Sequence, residues 1–150
     1  MKSWTGALPF FTREELACSH CGVIQLDMDM AVHLPVLRWE WGKPLHPTSV
    51  CRCPAHNAAV GGHPRSLHLT ENPVHPTNGA MGIDIAWSDW PEEKQRRFCQ
   101  LAWRLGWSIG LNDSFVHLDR RISIGLPQNV FTYGAAWNGT IAEAQIRAAA

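Results

Sequence analysis

The stretch GGHPRSLHLTENPVHPTNGAMGIDIAW, residues 61–87, contains three histidines and one aspartate. Its first part is rich in glycine and proline and predicts a loop. Its last part, Gly82–Ala86, is apolar apart from Asp84 and predicts a buried strand. Because a buried carboxylate is costly without a partner, Asp84 indicates a nearby cation, a hydrogen-bond network or a metal ion.

The composition is typical of a globular protein, with 45% hydrophobic and 17% charged residues in a chain of 150. This length suits one domain, and we expect a single domain over residues 1–150. Lys and Arg together number 13, as do Asp and Glu, so the net charge is zero. A neutral chain argues against nucleic-acid binding driven by charge.

Membrane insertion and secretion by a signal peptide are not expected. No apolar run approaches the roughly 18 residues that indicate a transmembrane helix. The first residues, MKSWTG, contain no apolar region typical of a signal peptide. We therefore expect the protein to be made in the cytoplasm.

Apolar periodicity and turn residues predict an α+β fold, with helices packed on one face of a small antiparallel sheet. Helices are predicted after a Thr12 cap, at residues 30–41 with Pro35 interrupting, at 55–60, from an Asp89 cap to Gly106, and at 140–150. Strands are predicted at residues 45–49, 80–87, 107–111, 115–119 and 130–133.

Alternation along two of these strands brings polar side chains to one face of the sheet. His117 and Asp119 lie opposite the apolar residues of their strand, as Asp84 does in its own. If the two strands are neighbours, Asp84 and His117 meet, and His68 from the loop can complete the group. Two histidines and a carboxylate with an open fourth position are typical of a hydrolytic site with one catalytic Zn²⁺.

Several ordered motifs resemble the zinc D-alanyl-D-alanine carboxypeptidase family, peptidase M15, which includes phage endolysin peptidases. The resemblance runs from about residue 10 to residue 121. Its motifs are Phe11-Thr12-Arg13-Glu14-Glu15-Leu16, Thr48-Ser49-Val50-Cys51-Arg52-Cys53, Ser66-x-His68, Ala80-x-Gly82-x-Asp84 and Phe115-x-His117-x-Asp119.

The resemblance implies a hedgehog/DD-peptidase-like zinc fold in which His68, Asp84 and His117 bind the metal. It implies that Arg52 holds a substrate carboxylate or stabilises the oxyanion, and that Ser66 binds substrate. An arginine suits this task because its planar guanidinium meets a carboxylate with two hydrogen bonds.

Two departures from the family pattern leave alternatives open. His68 and Asp84 are sixteen positions apart, so residues 69–79 contain an insertion, which brings His75 as another possible ligand. The family acid three residues before the second histidine is replaced by Ser114. Asp113 and Asp119 remain as candidates for the general base, and we favour Asp119.

Asp119 has a second possible role. It could pair with Arg120, Arg121 or His117 and orient the metal ligand instead of taking a proton.

The function implied by the resemblance is a zinc-dependent peptidase that hydrolyses the stem peptides of bacterial peptidoglycan. A phage or prophage endolysin fits a small, single-domain chain without a signal peptide. Its export would depend on a holin. The alternative is a non-catalytic, zinc-stabilised module that binds the cell wall or a protein, since hedgehog domains share a similar zinc fold. A closed site with His75 as fourth ligand would favour that alternative.

The chain contains five cysteines, an odd number: Cys18, Cys21, Cys51, Cys53 and Cys99. The first four could form a four-thiolate metal site, in which case the His/Asp group would be incidental. They could also form a disulfide between the two pairs, or stay as free thiols.

Overall fold

The computed structural model describes residues 2–149. The strands are β1 (Ser3–Trp4), β2 (Leu26–Asp27), β3 (Pro47–Ser49), β4 (Gly82–Ala86), β5 (Ser108–Leu111), β6 (Phe115–Asp119) and β7 (Val130–Thr132). The helices are α1 (Arg13–Leu16), α2 (Met28–Trp41), α3 (Pro54–Ala59), α4 (Glu92–Arg104) and α5 (Glu143–Arg147). Two short 3₁₀ turns follow β6 and β7, at Arg121–Ile124 and Gly134–Ala136.

The main sheet has the order β3-β4-β6-β5-β7. Its first four strands are antiparallel neighbours, but β7 pairs with β5 in parallel. The predicted α+β class is therefore confirmed, and the prediction of a wholly antiparallel sheet is wrong for the last strand. After β6 the chain returns to the start of β5 before β7 begins, as the hydrogen bond from Ile109 N to Asn129 O shows.

The predicted alternation of side chains is present in the two central strands. Ile83 and Ile85 of β4 and Val116 and Leu118 of β6 are fully buried, in one cluster with apolar side chains of α2 and α4. Each such side chain contributes roughly 1.5–3 kcal/mol when it is buried. This core fixes which face of the sheet the remaining residues occupy.

The starts of two helices test the cap predictions. α1 has the predicted capping box, because Glu15 N donates to Thr12 Oγ1 at 3.1 Å and Thr12 N donates to Glu15 Oε1 at 2.9 Å. The Asp89 cap is wrong: α4 begins at Glu92, and Pro91 holds the N-cap position without a side-chain bond.

Helix α2 continues through Pro35, so the predicted alternative of a helix start at Pro35 is wrong. The helix begins earlier, at Met28, where the carboxylate of Asp27 accepts a hydrogen bond from Asp29 N at 3.0 Å. Leu34 and Leu37 on either side of the proline are fully buried. We infer that their packing outweighs the one backbone hydrogen bond that proline cannot donate.

The inserted segment, residues 69–79, has no helix or strand of its own but is held by hydrogen bonds. Asn72 Nδ2 donates to the carbonyl of Ser66 at 3.1 Å, and its Oδ1 accepts from Val74 N and His75 N. At the far end, Asn78 N donates to Asp27 Oδ2 at 3.0 Å. The insertion is therefore anchored at both ends.

None of the helices within residues 2–149 combines the length and the apolar character needed to cross a membrane.

Candidate metal centre and cleft

Three buried side chains converge on the face of the sheet opposite the core. His68 Nε2 lies 3.1 Å from Asp84 Oδ1 and 3.2 Å from His117 Nδ1, and His117 Nδ1 lies 2.9 Å from Asp84 Oδ1. The three residues are 2%, 5% and 7% exposed. The structure thus brings together the three predicted metal ligands.

Backbone pairing explains why these residues meet. Asp84 and His117 are direct partners in the antiparallel register of β4 and β6, so their side chains leave the sheet on the same face. His68 comes from the loop, where Arg52 N donates to His68 O at 2.9 Å and Met81 N donates to Leu67 O at 2.8 Å. These bonds hold the loop against the start of β4.

The outer nitrogens of both imidazoles are already used as donors. His68 Nδ1 donates to the carbonyl of Val50 at 2.8 Å, and His117 Nε2 donates to Asp119 Oδ2 at 2.8 Å. In the neutral imidazoles, His68 Nε2 and His117 Nδ1 then carry lone pairs that face the carboxylate of Asp84. With both imidazoles neutral, three acceptors would face one another with no donor between them, so the group favours a cation at its centre, either a proton or a metal ion.

The spacing also suits zinc. Tetrahedral Zn²⁺ with bonds of about 2.0–2.1 Å places its ligand atoms about 3.3 Å apart. The three observed separations, 2.9–3.2 Å, lie just below that value. Two imidazoles and a carboxylate are also a donor set that zinc prefers, so the residues fit the ion.

The protonation of the three residues points to the same preference for positive charge. Burial alone would lower the pKa of His117, but its hydrogen bonds to Asp119 and Asp84 raise that pKa to about 9. Burial opposes ionisation of Asp84, yet the two imidazoles hold the pKa of its carboxyl below the usual range. The surroundings therefore favour a positive charge at the centre of the group.

The metal group forms the floor of a cleft of about 490 Å³. His75 lines this cleft, but among the described residues it does not join the group of ligand atoms. The fourth position of the site therefore faces open space. A neighbouring cleft of similar size, about 520 Å³, has a lining that includes Pro54, Leu69 and Pro73 and does not contain the three ligands.

Arg52 lies beside the carboxylate of Asp84. Its Nη2 donates to Asp84 Oδ2 at 3.1 Å, its Nε donates to Ser49 Oγ at 2.9 Å, and its Nη1 donates to Asn57 Oδ1 at 3.4 Å. A shift in the β3–β4 register between Pro47 and Ser49 pairs Ser49 with Asp84. The structure thus brings Arg52 to the cleft, where it holds the oxygen of Asp84 that faces away from the two imidazoles.

Ser66 also lines the cleft, and its hydroxyl accepts a hydrogen bond from His68 N at 3.2 Å. This bond stabilises the turn that carries His68. The hydroxyl hydrogen remains free to donate, so the geometry is compatible with the predicted contact to substrate.

Asp119 is fully buried, and both of its oxygens are engaged. Oδ1 accepts from Arg121 N at 3.1 Å and Arg121 Nε at 2.9 Å, while Oδ2 accepts from Arg121 Nη2 at 2.7 Å and from His117 Nε2 at 2.8 Å. A general base needs an oxygen free to take a proton. The arrangement instead matches a carboxylate that orients a ligating histidine, the second role that the sequence left open.

Asp113, the other candidate for the general base, lies away from the cleft. Its exposed carboxylate accepts hydrogen bonds from the backbone and side-chain nitrogens of Asn138, both at 2.7 Å. These bonds lower the pKa of Asp113. Its contacts serve the turn between β5 and β6 and the segment after β7.

Sequence reasoning missed part of the cleft. It named Arg121 only as a possible partner of Asp119, and it assigned no role to Phe115, Phe131 and Tyr133, whose rings form one wall with centroids 5.3–5.7 Å apart. Phe131 and Tyr133 belong to the last strand and its end, where only the parallel pairing with β5 brings them to the site. No sequence motif signals that pairing.

Comparison with known proteins agrees with the geometry. The sequence model described as Peptidase M15 matches residues 9–119, which include every residue of the metal group. Among curated proteins and solved structures, none matches the chain significantly. A match over most of the chain, together with a buried His/Asp/His group, leads to one conclusion: the chain belongs to the Peptidase M15 family of zinc-dependent peptidases and is a metallopeptidase.

Proposed function

We propose that the protein hydrolyses peptide bonds in the stem peptides of bacterial peptidoglycan, with one catalytic Zn²⁺ held by His68, Asp84 and His117. The observation that carries this proposal is a group of three ligands that lines a cleft and that no fourth ligand from the described residues joins, which leaves room for water or substrate. A site that only stabilised the fold would be closed by a fourth protein ligand.

When bound, zinc supplies the Lewis acidity that activates a water molecule and polarises a carbonyl. The chain's own residues supply the binding. Arg52, Arg65 and Arg121 line the cleft, and stem peptides carry free carboxylates that such cations attract. The aromatic wall of Phe131 and Tyr133 offers apolar contact for the peptide.

Asp119 acts in this proposal as a positioning residue. It accepts the Nε2 proton of His117 and keeps the Nδ1 lone pair directed at the metal position. Arg121 holds Asp119 ionised through the bidentate contact. The other ionisable groups in the cleft, among them His63, His75 and Tyr133, are then the candidates for passing a proton to the leaving amine.

A phage or prophage endolysin is the proposed biological setting. A small peptidase made in the cytoplasm would reach the wall after a holin permeabilises the membrane. The basis is the resemblance of its motifs to the phage-associated branch of the family, together with the family match.

Digestion of purified peptidoglycan tests the function. Mass spectrometry of the products, with and without chelator, should reveal new peptide ends that require metal, and their masses identify the bond that is cut. The His68→Ala variant is the matched control and should release none. Binding of the wall without any new peptide end would favour the non-catalytic module instead.

Metal analysis of two histidine variants tests the ligand assignment. His68→Ala should lose the catalytic zinc, because it removes one of three ligands, while His75→Ala should keep it. If His68→Ala retained this ion and His75→Ala lost it, the first ligand would be His75 in the insertion and not His68.

A further inference from the structure

A second group of metal-binding side chains lies outside the cleft. The sulfur atoms of Cys18, Cys21 and Cys53 lie within 4.8 Å of one another. His20 Nδ1 lies 3.4 Å from Cys53 Sγ. All five cysteines of the chain are free thiols, so the group is not a disulfide.

The backbone around this group is shaped like a metal-binding turn. Cys18 N donates to Val23 O at 2.9 Å and Gly22 N donates to Cys18 O at 2.8 Å, which closes the Cys18-x-x-Cys21 loop. Gly22 adopts φ +74°, a conformation that a residue with a side chain rarely takes. The closed loop directs both sulfurs to the same side.

Backbone amides point at two of the sulfurs. Cys53 N donates to Cys18 Sγ at 3.4 Å, and His56 N donates to Cys53 Sγ at 3.4 Å at the start of α3. Donors directed at sulfur favour the thiolate, the form that binds metals.

Cys51 is not part of the group. Its thiol donates to Gln25 O at 3.6 Å, and its sulfur does not join the three mutually close sulfur atoms. The four-thiolate site considered from the sequence is therefore replaced by three thiolates. In tetrahedral zinc sites a thiolate and an imidazole nitrogen are about 3.5 Å apart, close to the separation of Cys53 Sγ and His20 Nδ1.

We propose that Cys18, Cys21 and Cys53 hold a second, structural Zn²⁺ ion, and that the His20 imidazole, which lies near Cys53 but not within 4.8 Å of all three sulfurs, turns in as the fourth ligand. Soft thiolates with one imidazole select zinc among the common divalent ions, and four protein ligands leave no position for a substrate. The ion joins the turn before β2 to the loop before α3. Because Arg52 directly precedes Cys53, the second site fixes the backbone that presents Arg52 to the cleft.

Zinc stoichiometry of the purified full-length chain tests the proposal. Wild type should contain about two Zn²⁺, and Cys21→Ser and Cys53→Ser should each contain about one. Serine at position 53 can still cap α3, so loss of zinc there would not reflect loss of the helix cap. Cys51→Ser and Cys99→Ser are the matched controls and should retain both ions.

Cobalt spectroscopy gives a readout that does not depend on peptidase activity. In a His68→Ala/His117→Ala variant, added Co²⁺ should produce the near-ultraviolet absorption of cobalt–thiolate bonds, which disappears in the additional Cys21→Ser variant. His20→Ala should weaken this binding at least about tenfold, while His56→Ala should not.

Two results would overturn the proposal. One is the absence of metal–sulfur absorption from the Co²⁺-loaded chain. The other is a Cys18–Cys21 disulfide in the freshly purified protein, detected as a loss of two hydrogens in the intact mass. A larger loss of Co²⁺ affinity in His56→Ala than in His20→Ala would overturn only the choice of His20 as the fourth ligand. Since none of these readouts involves peptidoglycan, failure here is distinct from failure of the proposed function.

Discussion

At the residue scale, Arg52 uses three different nitrogens to join Asp84 of the metal group to Ser49 and Asn57. In Arg52→Lys the positive charge remains, but one ammonium cannot reach Ser49, Asn57 and Asp84 together. We expect kcat/KM on stem peptides to fall at least about tenfold, since one lost charged hydrogen bond is worth about 1.5–3 kcal/mol. Steady-state kinetics of the purified variant measures the effect.

Arg97→Lys is the control for that prediction, because the Arg97 side chain is 72% exposed and pairs with Glu93 on the surface of α4. It should behave as wild type. Equal activity of Arg52→Lys and wild type would show that the planar guanidinium has no function in the cleft.

Asp119 offers a test that separates orientation from proton transfer. If it orients His117, Asp119→Asn should weaken zinc binding about 10–100-fold, and activity should return when zinc is added in excess. If it is the general base, the variant should keep its zinc and lose at least about 100-fold in kcat. Metal titration and kinetics on one preparation distinguish the two.

Asp113→Asn is the control for this test. Among the side chains of the described residues, the Asp113 carboxylate contacts only that of Asn138. Zinc binding and kcat should stay at wild-type values. Loss of activity in Asp113→Asn would indicate that the general base lies in the β5–β6 turn.

At the scale of the element, strand β4 passes under the metal group at Gly82. The lack of a side chain there leaves room for the ligands. A Cβ on Gly82 would lie 3.2 Å from His117 Cε1 and 3.4 Å from His68 N. Gly82→Ala should therefore displace one or both imidazoles and lower the metal affinity, while the apolar face of β4 stays buried. Zinc titration together with circular dichroism measures both quantities.

Gly6→Ala is the control for this crowding, because the nearest atoms to a Cβ there would be those of the Trp4 ring, at 3.5–3.6 Å, which is ordinary van der Waals contact. It should bind zinc as wild type does. If Gly82→Ala also bound zinc normally, the imidazoles would have more freedom than the packing indicates.

At the scale of the whole molecule, the metal group joins three segments that are far apart in sequence: the loop of His68, β4 and β6. A ligand that binds only the folded chain stabilises it by about 2.7 kcal/mol at a free concentration of 100 times Kd. For a chain of this size, each kcal/mol corresponds to roughly 2–4 °C in melting temperature. We expect chelation to lower the melting temperature by several degrees and added zinc to restore it.

Calorimetry at a series of free zinc concentrations checks this coupling. The melting temperature should rise with zinc in wild type and rise less in His117→Ala. A melting temperature independent of zinc in both proteins would mean that the folded chain does not bind the metal selectively.

Features that depend on local pattern were predictable from the order of residues. Alternation along residues 82–86 and 115–119 predicted that Asp84 and His117 oppose the core, and register pairing follows once those strands are neighbours. The Thr12 cap is a contact within one helical turn, so it was also predictable. Metal ligands carry a strong signal because few residue types bind zinc.

The directions of individual atoms and the contacts between distant segments could be read only from the folded chain. The parallel pairing of β7, the exclusion of His75 from the ligand group and the separation of Cys51 from the other thiols all depend on packing. Whether Asp119 is free or held depends on where the Arg121 side chain lies. Sequence spacing limits which residues can meet. Hydrogen-bond partners depend on distances and angles within a few ångströms, which sequence spacing does not give.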